Sequence, residues 1–243
     1  GVSPDWIYTG TDTLNVVHRT LPDTEIYWVS SPVAESRKAE ISFRTSGLKP
    51  YLWHPVTCAM EEVSYAVKDG RTVMNLDFVP DDAYFVVFRG RVEGESFAVA
   101  KAQETVLTEV TGEWTVHFKT PFDEEKTVET SVLTAWDKHQ DEWVRHFSGT
   151  ATYTTTVHVP AFDGRLILDL GNVKNIAEVY VNGKEVATLW KSPFRVDITD
   201  FVDCDTFSLD VKVTNLWVNR LIGEAALKPE DRKIYVSAPF YKQ

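Results

Sequence analysis

An all-β fold with two β-sandwich domains is what this sequence predicts. Three observations lead to the β assignment. Apolar residues alternate with polar ones over many short runs, the runs are separated by turn-prone residues, and no long stretch keeps the helical period. In "ATYTTTVHV", Ala151, Tyr153, Thr155, Val157 and Val159 share one face, with Thr152, Thr154, Thr156 and His158 on the other. "FSLDVKV" sets Phe207, Leu209, Val211 and Val213 against Ser208, Asp210 and Lys212. A period of two with one apolar face marks a half-buried antiparallel strand.

Further strands are expected, in chain order, at "EIYWVS", "AEISFRT", "TVMNLDFV", "YFVVFR", "FAVA", "RLILDL" and "AEVYVN". Short strands punctuated in this way suit a sandwich or a jelly roll. Asn182-Gly183 fits a two-residue hairpin turn, which needs positive φ at both central positions. "LKPEDRK" is expected to form at most a short helix. "FVVFRG" reads as a terminal strand and "RVEGES" as a polar connector. The expected domains are therefore residues 1–92, a sandwich incomplete at its start, and residues 93–243.

The 243 residues include 43% hydrophobic and 12% aromatic residues, enough for a real core and too apolar for wholesale disorder. The net charge of −11, from 36 acidic and 25 basic residues, argues against nucleic acid and anionic membranes, both of which need clustered Lys and Arg. No apolar run approaches the ~20 residues of a membrane span. Cys58 and Cys204 lie far apart, on either side of the expected boundary, and read as free thiols. The opening "GVSPDWIYTG" is no signal peptide and reads as the interior of a longer protein.

Four stretches carry a family resemblance: "AWDKHQDEW" (135–143), "HFSGTATYTTTVHVP" (146–160), "LDLGNVKNIAEVYVNGKEVATLWKSPFRVDITDFV" (168–202) and "VKVTNLWVNRLIGE" (211–224). Together they resemble the sugar-binding jelly roll of glycoside hydrolase family 2, a resemblance that implies a galactose-binding-like jelly roll for the second domain. More closely, they resemble the C-terminal region of the large bacterial α-L-rhamnosidases of family 106. "VVHRTLPDTEIYWVSS" (16–31), "AEISFRTSGLKPYLWHPVT" (39–57) and "VMNLDFVPDDAYFVVFR" (73–89) are similar to the β segment that precedes that jelly roll. Ala187, where the family often has Gly, and "DCDTF" (203–207) depart from the pattern.

The resemblance implies a non-catalytic accessory or scaffold region of a secreted enzyme acting on plant-type polysaccharide. The catalytic carboxylates would lie in an upstream barrel of the same polypeptide, and the location would be periplasmic or extracellular. Carbohydrate and that barrel are the expected partners.

The residues themselves point the same way. Glycoside hydrolysis needs two carboxylates flanking one bond. The acids Glu61-Glu62, Asp81-Asp82, Asp123-Glu124-Glu125, Asp203 and Asp205 sit in hydrophilic turns, so no catalytic residue is assigned. Six histidines (His18, His54, His117, His139, His146 and His158) lack metal-ligand spacing. No cofactor is assigned, with calcium left open because oxygen ligands leave no compact signature. Neither a nucleophile elbow nor a phosphate loop is present.

One binding hypothesis rests on aromatic rings, which stack on the C–H faces of sugars while polar neighbours bond the hydroxyls. Trp190, Trp217, Asn219 and Arg220 offer both kinds of group. The same residues also suit a structural role, with Arg220 pairing an acid such as Asp197. Trp53, Trp136 and Trp143 share the ambiguity. An autonomous carbohydrate-binding module and a self-sufficient glycosidase stand as the alternatives.

Overall fold

The computed structural model describes residues 2–10, 13–92, 94–100 and 102–234. The chain divides into two compact units, residues 1–104 and 105–243. Almost every regular element is an antiparallel strand, as the alternation predicts.

The first unit holds β1 (Trp6–Tyr8), β2 (Asn15–Leu21), β3 (Thr24–Ser31), β4 (Arg37–Phe43), β5 (Leu48–Trp53), β6 (Met60–Glu62), β7 (Tyr65–Lys68), β8 (Arg71–Phe78), β9 (Asp82–Arg91) and β10 (Ser96–Phe97). They form two five-stranded sheets, β1-β4-β8-β7-β10 and β2-β3-β9-β5-β6. Tyr27, Val29, Val86 and Phe88 of the second sheet meet Ile41, Phe43, Met74 and Leu76 of the first in one buried core. That is a sandwich, because each sheet buries one face against the other. Only Ser96 and Phe97 of the region around "FAVA" form a strand; Ala98, Val99 and Ala100 have no ladder partners.

Two tight hairpins show why their residues are there. Asp69-Gly70 links β7 to β8 with φ of 51° and 72°. Asn182-Gly183 does the same in the second unit with φ of 51° and 73°. Left-handed φ at both central residues matches the twist of the flanking strands. His18 lies flat on Tyr27 at 3.9 Å, its ring nitrogens meeting Asp5 at 2.5 Å and Glu25 at 2.7 Å. His18 is therefore a structural clamp between strand and N-terminal segment. Cys58 and Cys204 are free and exposed.

The second unit holds β11 (Trp114–Lys119), β12 (Glu125–Thr130), a one-turn helix α1 (Glu142–Arg145), β13 (Thr150–His158), β14 (Ile167–Asp169), β15 (Ile176–Val181), β16 (Lys184–Leu189), β17 (Arg195–Asp197), β18 (Thr206–Thr214) and α2 (Val218–Ala226). A six-stranded sheet, β12-β11-β13-β18-β15-β16, faces the small pair β14-β17. Ala151, Val157, Phe207, Leu209 and Val211 point into the core, the face that the alternation assigns to them. Phe147 is 2% exposed and sits among Phe118, Trp136 and Trp143, with centroids 5.0, 5.2 and 5.5 Å away.

Two expectations are corrected. "WVNRLIGEAA" contains a nine-residue helix, α2, where no helix was expected; "LKPEDRK", expected to form at most a short helix, holds a 3-10 turn at Pro229–Asp231. Arg220 does not pair with Asp197. That carboxylate instead accepts from Arg165 Nε at 2.7 Å and from the Thr199 amide and hydroxyl at 3.0 and 2.5 Å. The Thr199 hydroxyl first, then its amide and Arg165, hold Asp197 below the usual carboxylate range against its partial burial. The "DIT" motif thus closes the turn after β17.

Candidate functional site

One end of the six-stranded sheet gathers the residues of interest. The register sets the end of β11, the start of β13 and the end of β18 side by side through Lys119, Thr150 and Thr214. The start of β15 and the end of β16 join the same edge through Ile176 and Leu189.

Local hydrogen bonds build this end. Thr120 Oγ1 accepts from the Phe122 and Glu124 amides at 3.2 and 3.1 Å, folding the β11–β12 turn. Asn215 donates to the Phe147 carbonyl at 2.9 Å and accepts from the Gly149 amide at 3.0 Å. Ser148 Oγ donates to the Leu216 carbonyl and accepts from the Arg220 amide, both at 3.0 Å. The helix α2 opens at Trp217 without a cap from its own side chain, so Ser148, in the segment before β13, satisfies one of its free N–H groups. Gly149 is required by space: a Cβ there would stand 2.5 Å from the Lys119 carbonyl oxygen. "FSGT" and "TNLW" are therefore two halves of one latch.

The latch continues as a charge network. Arg220, with its side chain 16% exposed, donates to Glu224 at 2.8 Å and pairs with Glu124 at 3.1 Å. Glu224 is 4% exposed and also accepts the Lys233 amide at 2.7 Å. Lys233 bonds Glu124 as well. Burial pushes the Glu224 carboxyl upward, but the Lys233 amide, Arg220 and the Ile234 amide together outweigh it and hold it low. Glu124 is held low first by the Lys233 ammonium and then by Arg220, against its burial.

This arrangement turns α2 inside out. Its ionic side, Arg220 and Glu224, is covered, while Val218 and Ile222 are 44% and 55% exposed. Leu216, Trp217, Leu227 and Phe122 extend the exposed apolar surface, and Trp217 and Phe122 meet edge-to-face at 6.1 Å. Beside them lies a cleft of about 320 Å³ lined by Lys119, Thr120, Pro121, Ser148, Gly149, Thr150, Thr214, Asn215 and Trp217. Its Ser148, Asn215, Thr150 and Thr214 polar atoms already bond one another or the backbone.

Of the residues singled out from sequence, Trp217, Asn219 and Arg220 come together on α2. Trp190, 58% exposed, leaves β16 at the same sheet end, two strands and roughly 10 Å from β18. Trp136 and Trp143 belong to the aromatic cluster around Phe147, and the Trp136 indole donates to the Tyr153 hydroxyl at 2.5 Å. Trp53 lies in the first unit on β5. Phe122 and Glu224 escaped the sequence reading, and Glu124 entered it only as a turn acid; the Arg220–Glu224 spacing of four is a signal that could have found Glu224. Among the described residues no group of three His, Cys, Asp or Glu side chains is placed to hold a metal ion.

Because both rings are exposed, Trp190→Ala and Trp217→Ala are each expected to change stability by less than about 1 kcal/mol in urea unfolding. A loss of about 3 kcal/mol or more would place the ring in a core instead.

Known proteins are similar along the whole chain. The family described as α-L-rhamnosidase, glycoside hydrolase family 106, matches residues 1–67. A putative β-glucuronidase of Formosa agariphila is 33% identical over 207 residues, which cover 81% of this chain and 17% of that protein. The solved rhamnosidase of Novosphingobium sp. PP1Y aligns with 99% of this chain and 23% of its own, at 35% identity and a TM-score of 0.87. The chain therefore spans less than a quarter of the length of either relative. Along its whole length the chain is thus similar to a β region of a large rhamnosidase, and its first 67 residues match the α-L-rhamnosidase family, glycoside hydrolase family 106.

Proposed function

We propose that this chain is the non-catalytic accessory region of a secreted bacterial glycoside hydrolase acting on plant-type polysaccharide, in the periplasm or outside the cell. It packs the outward apolar face of α2 against the remainder of that enzyme. The inverted helix carries this reading. A helix that covers its ions and exposes Val218 and Ile222 beside Leu216, Trp217 and Phe122 is shaped for a second surface.

The carboxylate chemistry supports a non-catalytic role. A glycosidase needs one carboxyl held protonated by a raised pKa. Glu124, Asp141, Asp197 and Glu224 are held low by hydrogen bonds and ion pairs, the opposite of what such an acid needs.

Two measurements test the reading. The isolated chain should release nothing from nitrophenyl α-L-rhamnoside or β-D-glucuronide; turnover abolished by one acid-to-Ala change would make it a glycosidase. Val218→Glu with Ile222→Glu should leave the melting of the 243-residue chain unchanged, yet lower the activity or stability of the longer enzyme. If the longer enzyme is indifferent, the docking role fails.

A targeting module is the second reading, favoured by Trp217 at the rim of the cleft. It requires binding to rhamnose-containing polysaccharides on a glycan array that Trp217→Ala abolishes.

A further inference from the structure

A different face of the molecule carries its own chemistry. In the first unit, Tyr27, Val29, Val86 and Phe88 point into the sandwich, so the alternate residues of those strands point outward. The outward row reads Val17, Trp28, Phe85, Trp53 and Met60 across all five strands of its sheet. Next to Trp53 on β5 come Tyr51 and then Lys49, each two residues on, with Arg89 directly opposite Lys49 on β9. The Arg89 guanidinium lies 5.5 Å from the Tyr51 ring centre and 5.8 Å from that of Trp53. Lys49 Nζ lies 5.4 Å from Tyr51 and 5.1 Å from Phe97.

Two cations placed directly opposite each other on adjacent strands repel. Glu62 neutralises Lys49. Arg89 has no carboxylate partner among the described residues, and its Nη2 donates only to Met60 Sδ at 3.2 Å. The backbone also departs from a regular ladder here. Gly90, at φ 69°, is the extra residue of a bulge that separates the Lys49–Arg89 pair from Leu48–Arg91. Bulges re-aim side chains where a sheet does something besides pack.

We propose that Trp53, Tyr51, Arg89 and Lys49 form a binding platform for a carboxylate-bearing saccharide, a uronate-containing chain. The rings offer flat faces for the C–H side of a pyranose. Arg89, held between two rings, presents its fork to the sugar carboxylate. Charge decides against a neutral ligand: in a chain of net charge −11, a guanidinium without a carboxylate partner among the described residues marks the local place for an anion. The platform is in the first unit and stands or falls independently of the role given to α2.

Affinity electrophoresis of the 243-residue chain through gels containing polygalacturonate, or neutral dextran as control, tests this. Overall charge repels the chain from a polyanion, so retardation reports a local site. Retardation by polygalacturonate alone is expected, weakening as salt rises. Arg89→Gln should weaken it by roughly tenfold or more, and Trp53→Ala comparably. Circular dichroism and melting should be unchanged by these exposed substitutions; if Arg89→Gln melts early, Arg89→Lys keeps the charge, loses the fork and should still weaken binding. Equal retardation in dextran, no retardation, or retardation indifferent to Arg89 would each overturn the proposal. So would self-association that Trp53→Ala abolishes without any sugar binding, which would make the face a protein contact.

Discussion

Phe147→Ala is expected to destabilise the second unit by about 3–5 kcal/mol, the range for a large aromatic removed from a packed core. Phe147 is 2% exposed and meets three rings, Phe118, Trp136 and Trp143, mostly edge-on. Such pairs add to the stabilisation that burial alone supplies. Its backbone is committed as well, because its carbonyl accepts from Asn215. Removing the ring therefore opens a cavity whose walls cannot close without moving the latch. Phe147→Leu, which keeps most of the volume, should cost only about 1–2 kcal/mol. Urea unfolding followed by tryptophan fluorescence reads both, since Trp136 and Trp143 border the cavity. Near-equal midpoints for Phe147→Ala and the parent chain would contradict the cluster.

Glu224→Ala should cost about 3 kcal/mol, because it strands Arg220 in a half-covered site with only Glu124 to answer its charge. Glu224→Gln keeps an acceptor for the Lys233 amide and should cost less. The pH dependence follows from the direction of the shifts. Glu124 and Glu224 are both held below the ordinary carboxylate range. A carboxyl whose pKa is lower in the folded than in the unfolded chain stabilises the fold above its unfolded value. That contribution disappears as pH falls through the lowered one. Stability of the second unit should therefore decline as pH drops below about 4.5, and Glu224→Gln should flatten that decline. Thermal melts at stepped pH decide it; parallel curves for parent and variant would remove Glu224 from the acid response.

How much of this was legible in the sequence depends on how far apart the cooperating residues lie. Strands β13 and β18 could be read directly, because a buried face imposes a period of two on nine consecutive residues. The Asn182-Gly183 hairpin was equally legible, since its φ requirement is local. Asp69-Gly70 carried the same signal. The helix α2 was not read, for a physical reason. Its cap comes from Ser148, 72 residues before the amide it receives, so no capping residue marks its start. Its burial pattern is also reversed, with Glu224 inside and Ile222 outside. Arg220 was placed near the right chemistry and given the wrong partner, because its second carboxylate, Glu124, is 96 residues away on a turn. The family stretches were legible as motifs; that "FSGT" and "TNLW" interlock could be seen only in three dimensions.

The strand lengths of the first unit have a consequence of their own. Each of its two sheets ends in two border strands, and three of these four are very short: β1 and β6 have three residues and β10 has two. A border strand offers unpaired backbone N–H and C=O groups to any stray chain, and shortness limits how many bonds an intruder can make. The fourth, β2, runs for seven residues with Val17 exposed near its middle, and there His18 and Arg19 follow directly in the sequence. Within the first unit, resistance to edge-to-edge pairing should therefore hinge on this one border. Replacing Arg19 with an uncharged β-former is the change most apt to let copies of the chain zip together.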